Sequence, residues 1–162
     1  EITTFANKVL QTRILRQFNY QSAEPFPRHG EKVRVYDIED SETLLETIET
    51  ELGTLLSRGV GTIAIISNSV DESRAIYRYI LDAGYSISLV IDDVSEYSSE
   101  IVVISPYLVK GIEFDACIIS NANREMYPAD DIHGRLLYVA ITRALHELDV
   151  MWRGMPSEHL PV

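Results

Sequence analysis

Cysteine is nearly absent: Cys117 is the one thiol in 162 residues. A lone cysteine forms no internal disulfide and no cysteine-based zinc cluster, which excludes disulfide scaffolds and zinc ribbons. It lies in an apolar run, the setting of a small buried hydrophobe. No apolar stretch approaches bilayer length and no signal peptide opens the chain, so a reducing, cytoplasmic setting is expected. The first residue is Glu1 rather than Met, as in a piece of something longer. Neither Gly-x-x-x-x-Gly-Lys-Ser/Thr nor Gly-x-Gly-x-x-Gly occurs, so autonomous nucleotide hydrolysis is not expected. No serine sits in a nucleophile elbow. The four histidines (His29, His133, His146, His159) lack metal-ligand spacing, and no metal site is expected. Basic residues are also few: 14 Lys and Arg against 25 Asp and Glu leave a net charge of -11. That balance opposes a non-specific grip on phosphates and equally suits docking on a basic protein. The domain alone is expected to bind nucleic acid weakly.

What the chain does have is a core, with 46% hydrophobic residues at a length suited to one domain. Residues 1–31 read as a lead-in. A helix runs from Glu1 to about Leu15, with Ile2, Phe5, Ala6, Val9 and Leu10 on one side, and a loop spans Gln17–Gly30. Val33–Ile38 alternates as a strand. Ser41 reads as the N-cap of a helix carrying Leu44, Leu45, Ile48, Leu52 and Leu55 and ending near Gly59. Thr62–Ser67 is a continuous apolar run, as in a strand buried on both faces. Asn68–Asp71 opens a further helix, with Ala75, Ile76, Tyr79 and Ile80 inward and Gly84 closing it. Ser86–Ile91, Ile101–Ser105 and Phe114–Ser120 are strand candidates, Arg135–His146 a helix, and Leu148–Arg153 a last strand. This alternation predicts an α/β sandwich around a mostly parallel sheet. Ligands of such sheets gather at the carboxyl ends of strands, which points to Asn68-Ser69, Ser105–Glu113 and Ser120–Arg135. Asp92, Asp93 and Glu96 read as a solvated loop, as do Arg124, Glu125, Asp130 and Asp131, and Trp152 as core.

Two segments carry chemistry. In Ser105–Asp115, Lys110 and Gly111 place a cation and a permissive backbone where a turn meets a strand, and Glu113 adds a carboxylate able to accept from a sugar hydroxyl. The same residues fit an ordinary charged loop with a turn glycine. In Arg135–Leu148, Arg143 falls among Leu136, Val139, Ala140 and Ala144, where a guanidinium needs a partner. That partner is either an outside anion such as a triphosphate or Glu147, one helical turn on.

Lys110-Gly-Ile-Glu-Phe-Asp115 resembles the Lys-Gly-Leu-Glu-Phe motif of UvrD-like superfamily-one helicases. Leu137-Tyr-Val-Ala-Ile-Thr-Arg-Ala144 resembles their Leu-Tyr-Val-Ala-x-Thr-Arg-Ala motif nearly letter for letter, and Ile2-Thr-Thr-Phe-Ala-Asn7 their Ile-x-x-Phe-Ala-Asn stretch. The resemblance implies that residues 1–162 form the second RecA-like lobe of an ATP-driven DNA helicase or translocase, a three-layer sandwich without a P-loop. Its partner is an N-terminal P-loop lobe of the same chain, which holds ATP and Mg2+; this lobe alone is inactive. Arg143 is implied as the arginine finger. Gly111, Glu113, Lys110, Tyr138 and Thr142 are implied on the ATP side, with Glu113 on the ribose and Tyr138 and Thr142 orienting Arg143. Ser105 and Tyr107 are implied as contacts to single-stranded DNA.

The chain departs from the family in places. Ser105 and Tyr107 stand where relatives usually have Thr and His, and Leu108 where a second Lys is common. About fifteen residues between Gly84 and Ile101 leave no room for the large inserted subdomain of many relatives. The wording of Pro106–Asp115 is most similar to the HelD-like branch, which acts on bacterial RNA polymerase. A second reading is a RecA-like interaction module that has lost its motor and docks, for example, on RNA polymerase. A third, a flavodoxin- or receiver-like domain, accounts only for the alternation of strands and helices.

Overall fold

Two strands are apolar at every position, and burial at every position requires a layer on both faces of the sheet. The computed structural model describes residues 1–23, 33–93 and 99–162. Its strands are β1 (Arg34–Ile38), β2 (Ile63–Ile66), β3 (Ile87–Val90), β4 (Ile101–Ile104), β5 (Phe114–Ile119) and β6 (Ala144–Arg153). The helices are α1 (Ile2–Leu10), α2 (Arg13–Arg16), α3 (Ser41–Ser57), α4 (Val70–Asp82) and α5 (Asp131–Ile141). The six strands lie in the order β1-β6-β5-β2-β4-β3, and every neighbouring pair is parallel. β2 and β4 are buried at all four positions. Ala64, Ile66, Cys117, Ile119 and Val150 pack with α1, α2 and α5 on one face. Ile63, Ile65, Val103, Ile118 and Met151 pack with α3 and α4 on the other. The fold is thus an α/β, RecA-like three-layer sandwich, and Trp152 and Cys117 belong to its core. Among the described residues no helix is long and apolar enough to cross a membrane.

Local expectations are corrected at several element ends. The cap of α3 is Asp40, which accepts from the Thr43 amide at 2.8 Å, with Ser41 the first helical residue. Ser69 caps α4, and Asp130 caps α5 rather than lying in a solvated loop. The single first helix is two: Thr12 Oγ1 donates to the Val9 carbonyl at 2.7 Å where α1 gives way to α2. Gln17–Ala23 is irregular as expected; the rest of that loop, with His29, lies outside the described residues, as does Glu96. The largest correction concerns Arg135–His146. The helix begins at Asp131 and ends at Ile141, and the last strand starts at Ala144 instead of Leu148. From Ala144 the backbone pairs with β5, and from Asp149 also with β1. This tertiary ladder outweighs the local helical spacing. Arg143 therefore sits in the turn between α5 and β6, not within a helix.

The edge strand β1 is tied to β6 by charge as well as by its ladder. Arg34 Nε donates to Asp149 at 2.6 Å and Arg34 Nη1 to Glu147 at 3.0 Å. Arg58 reaches the same Glu147 oxygen at 2.8 Å. Glu147 is thus committed to Arg34 and Arg58, and no pair with Arg143 forms. The Asp149 side chain is 1% exposed. Burial pushes its carboxyl up to about 6, against the pull of Arg34. A folded value above the unfolded one means the folded state holds the proton more tightly. The resulting stability is present at low pH and lost as pH rises through about 6. Denaturant unfolding should therefore show wild-type stability falling by about 1 kcal/mol from pH 5 to pH 7 relative to Asp149→Asn. A difference that stays flat or rises over that window contradicts the assignment.

Candidate functional site

The amino edge of the sheet joins the two chemistry-bearing segments. Phe114, the first residue of β5, donates its amide to the Arg143 carbonyl at 2.9 Å, just before β6 begins. The turn Lys110–Glu113 therefore lies directly against the α5–β6 turn. The Arg143 guanidinium reaches the Ile112 carbonyl at 3.5 Å, the outer limit of a hydrogen bond. Arg143 Nε donates to the Val139 carbonyl at 3.2 Å and Nη2 to Thr142 Oγ1 at 3.3 Å. Thr142 is fixed in turn by donating to the Val139 carbonyl at 3.0 Å. All of these acceptors are neutral. Among the described residues no carboxylate forms an ion pair with Arg143, so its charge is oriented but not neutralised. Lys110, Gly111 and Glu113 are exposed. Gly111 has φ +80°, a conformation that strains a side chain, and a Cβ there would meet nothing within 4 Å. Tyr138 is half-buried one turn before Thr142; it packs against the core and makes no side-chain bond to Arg143. On the same edge Asp115 accepts from the Thr62 amide at 3.0 Å, and His146 stands 3.9 Å from it.

The carboxyl edge is organised by a residue the sequence reading passed over, Glu72. Ser67 and Ser120 donate to its Oε1 at 3.1 and 2.6 Å, and Asn121 Nδ2 donates to Oε2 at 3.1 Å. One carboxylate on the first turn of α4 thus gathers the ends of β2 and β5. The Ser69-Val-Asp-Glu72 pattern was visible as a capping box, and Ser69 Oγ does accept from the Glu72 amide at 3.2 Å. The Glu72 side chain, however, turns to the strand ends. Beside it lies a cavity of about 190 Å3 lined by Ser67, Asn68, Ser69, Ser105 and Tyr107. Tyr107 is 60% exposed, and its amide donates to Ser105 Oγ at 3.3 Å. A second cavity of about 340 Å3 lies between Ser41, Leu44, Asp71, Glu72, Asn121 and Arg153.

Of the site residues singled out from the sequence, only Ser105 and Tyr107 lie at the carboxyl edge. Lys110, Gly111, Glu113, Tyr138, Thr142 and Arg143 occupy the amino half, because Ser105–Glu113 is the crossover that carries the chain back from the end of β4 to the start of β5. Val109, fully buried, pins its middle to the core. The third segment, Ser120–Arg135, is held from outside. Ser157 Oγ donates to the Tyr127 carbonyl at 2.7 Å, and a His159 ring nitrogen lies 2.9 Å from the Pro128 carbonyl. Among the described residues no group of three His, Cys, Asp or Glu side chains could hold a metal ion.

No family model matches the chain, and no curated protein matches it. Solved structures do. The C-terminal domain of a possible DNA helicase from Lactobacillus plantarum WCFS1 is 26% identical and superposes with a TM-score of 0.78, over 99% of this chain and 88% of that one. The C-terminal domain of the DEAD-box protein Dbp5 is 12% identical with a TM-score of 0.54, over 80% and 79% of the two chains. The E. coli DEAD-box protein SrmB, bound to the regulator RraA, is 11% identical with a TM-score of 0.52, over 76% and 79%. The fold is that of helicase C-terminal lobes.

Removing Glu72 takes the acceptor away from Ser120 and Asn121 and leaves Ser67 only the Ser69 carbonyl at 3.3 Å. Glu72→Ala should cost about 2–4 kcal/mol in denaturant unfolding, and Glu72→Gln, which keeps one acceptor oxygen for the two serines, about 1 kcal/mol. Equal losses from the two variants contradict the hub.

Proposed function

We propose that this chain is the second RecA-like lobe of a UvrD-like, superfamily-one ATP-driven DNA helicase or translocase, working in the cytoplasm with a P-loop lobe of the same protein. The observation that carries this reading is the meeting of the Lys110–Phe114 turn with Arg143, whose charge is fixed by neutral acceptors and left for an outside anion. The near letter-for-letter resemblance of Leu137–Ala144 to the family motif supports it.

In this reading ATP lies in the cleft between the lobes, with Mg2+ held by the P-loop lobe. Arg143 reaches the γ-phosphate when the cleft closes and stabilises charge spread over the transferring phosphoryl oxygens. Thr142 keeps the guanidinium from collapsing back, and Tyr138 supports the helix end from which it projects. Glu113 accepts from the ribose hydroxyls. The bare backbone at Gly111 lets the nucleotide approach closely, with Lys110 beside it. At the other edge Ser105 offers a hydroxyl to a phosphate and Tyr107 a ring to a base. The crossover from Ser105 to Glu113 belongs to both sites, so a shift at one is transmitted to the other through a short, core-pinned segment. Closed and open clefts differ in whether Arg143 meets the phosphate, which supplies the differential binding a motor needs. Assignment to the HelD-like branch, with RNA polymerase as partner, rests on the wording of Pro106–Asp115 alone.

Arg143→Ala in the intact parent should lower ATP turnover about a thousand-fold while leaving nucleotide affinity within a few-fold. Steady-state turnover beside fluorescent-nucleotide binding measures both. Unchanged turnover removes Arg143 from the finger role.

A further inference from the structure

The chain's acidity is unevenly placed. Ile2–Ala23 contains Lys8, Arg13 and Arg16 and no acid, so the total of -11 divides into +3 on this segment and -14 on everything else. Arg13 and Arg16 are exposed and lie at i and i+3 on α2, hence on neighbouring positions of one helix face. Neither forms an ion pair among the described residues. The turn that follows is tied back to the helix: the Phe18 amide donates to the Leu15 carbonyl at 3.0 Å and the Asn19 amide to the Arg16 carbonyl at 3.3 Å. It displays Phe18, 47% exposed, with the Tyr20 ring 6.0 Å away and tilted. Two guanidinium groups with no ion pair among the described residues thus stand beside the exposed Phe18 ring and the half-buried Tyr20.

The position of this patch is set by α5. A Cβ on Gly134, in the first turns of α5, would lie 2.7 Å from the buried His159 ring and 2.8 Å from Leu15 Cδ1, so glycine at 134 lets α5 sit close against both. Tyr20 Oη donates to Asp131, the first residue of α5, at 2.5 Å. Asp131 also pairs with Arg135 at 3.0 Å, which leaves that carboxylate engaged elsewhere rather than cancelling Arg13 and Arg16. The start of α5 follows β5 at the carboxyl edge, the edge that carries Ser105 and Tyr107.

We infer that Arg13, Arg16, Phe18 and Tyr20 form a second contact for single-stranded nucleic acid, the arginines taking backbone phosphates and the Phe18 ring stacking on a base. The inference rests on the strand-binding reading proposed above and extends it to a surface outside both motif segments. Charge complementarity favours a polyanion, and the exposed ring favours one with bases over an acidic polypeptide.

The test is fluorescence anisotropy of a labelled oligo-dT strand with the intact parent protein across a salt series. Arg13→Gln/Arg16→Gln should weaken binding about 10-fold at 0.1 M salt and reduce the log–log salt slope by about 1.4, two phosphates' worth on a single strand. Phe18→Ala should weaken binding about 5-fold with the slope unchanged, the signature of stacking rather than charge. Wild-type affinity and slope in both variants overturn the inference and leave the helicase reading standing. Failure of the wild type to bind oligo-dT overturns both. Displacement of oligo-dT by polyglutamate of equal charge at equal concentration reassigns the patch to an acidic protein and overturns the nucleic-acid inference.

Discussion

The hydrogen bond from the Phe114 amide to the Arg143 carbonyl starts the pairing of β5 with β6, and the arrangement of the amino edge depends on it. The rest of β5, a loop and α5 separate these positions in the chain. The parallel ladder returns the chain to the level at which β5 began, so a turn that ends one strand's approach and a turn that ends a helix meet side by side. Together they offer a guanidinium, a carboxylate, an ammonium and a bare glycine backbone within one short stretch of surface. The register shift between Phe114 and Ala116 falls at this start of the ladder, where irregular pairing re-aims side chains at a rim.

The opposite edge is built by a different device. Glu72 collects hydroxyl and amide donors from the ends of β2 and β5, on the edge where Ser105 and Tyr107 also stand. Between the rims the Ser105–Glu113 crossover runs over the sheet with Val109 sunk in the core. In the proposed motor this is the shortest mechanical route between strand and nucleotide. The net acidity, which argues against strand binding when counted over the whole chain, loses that force once +3 is found on the α1–α2 segment.

Much of the fold was legible because β2 and β4 are apolar throughout and the helices between strands carry an apolar stripe, although the caps of α3 and α5 were misplaced. The candidate residues came from the resemblance of two segments to a family motif, and the structure brings those two segments side by side. Three things were hidden for physical reasons. The end of α5 was hidden because Ala144 continues a helical spacing while its backbone is claimed by β5. The role of Glu72 was hidden because its donors come from β2 and β5, far off in sequence. The burial of Asp149 was hidden because an acidic residue between Leu148 and Val150 looks like the solvent side of a strand until Arg34 of β1 is found against it.

The claim that this is half of a strand-driven ATP motor is tested most directly by ATP hydrolysis in the intact parent, measured with and without single-stranded DNA. The account predicts slow turnover without DNA and strong stimulation when DNA is added, since the crossover joins the two sites. Absence of hydrolysis under both conditions, with nucleotide and DNA each shown to bind, contradicts it and leaves the lobe a scaffold.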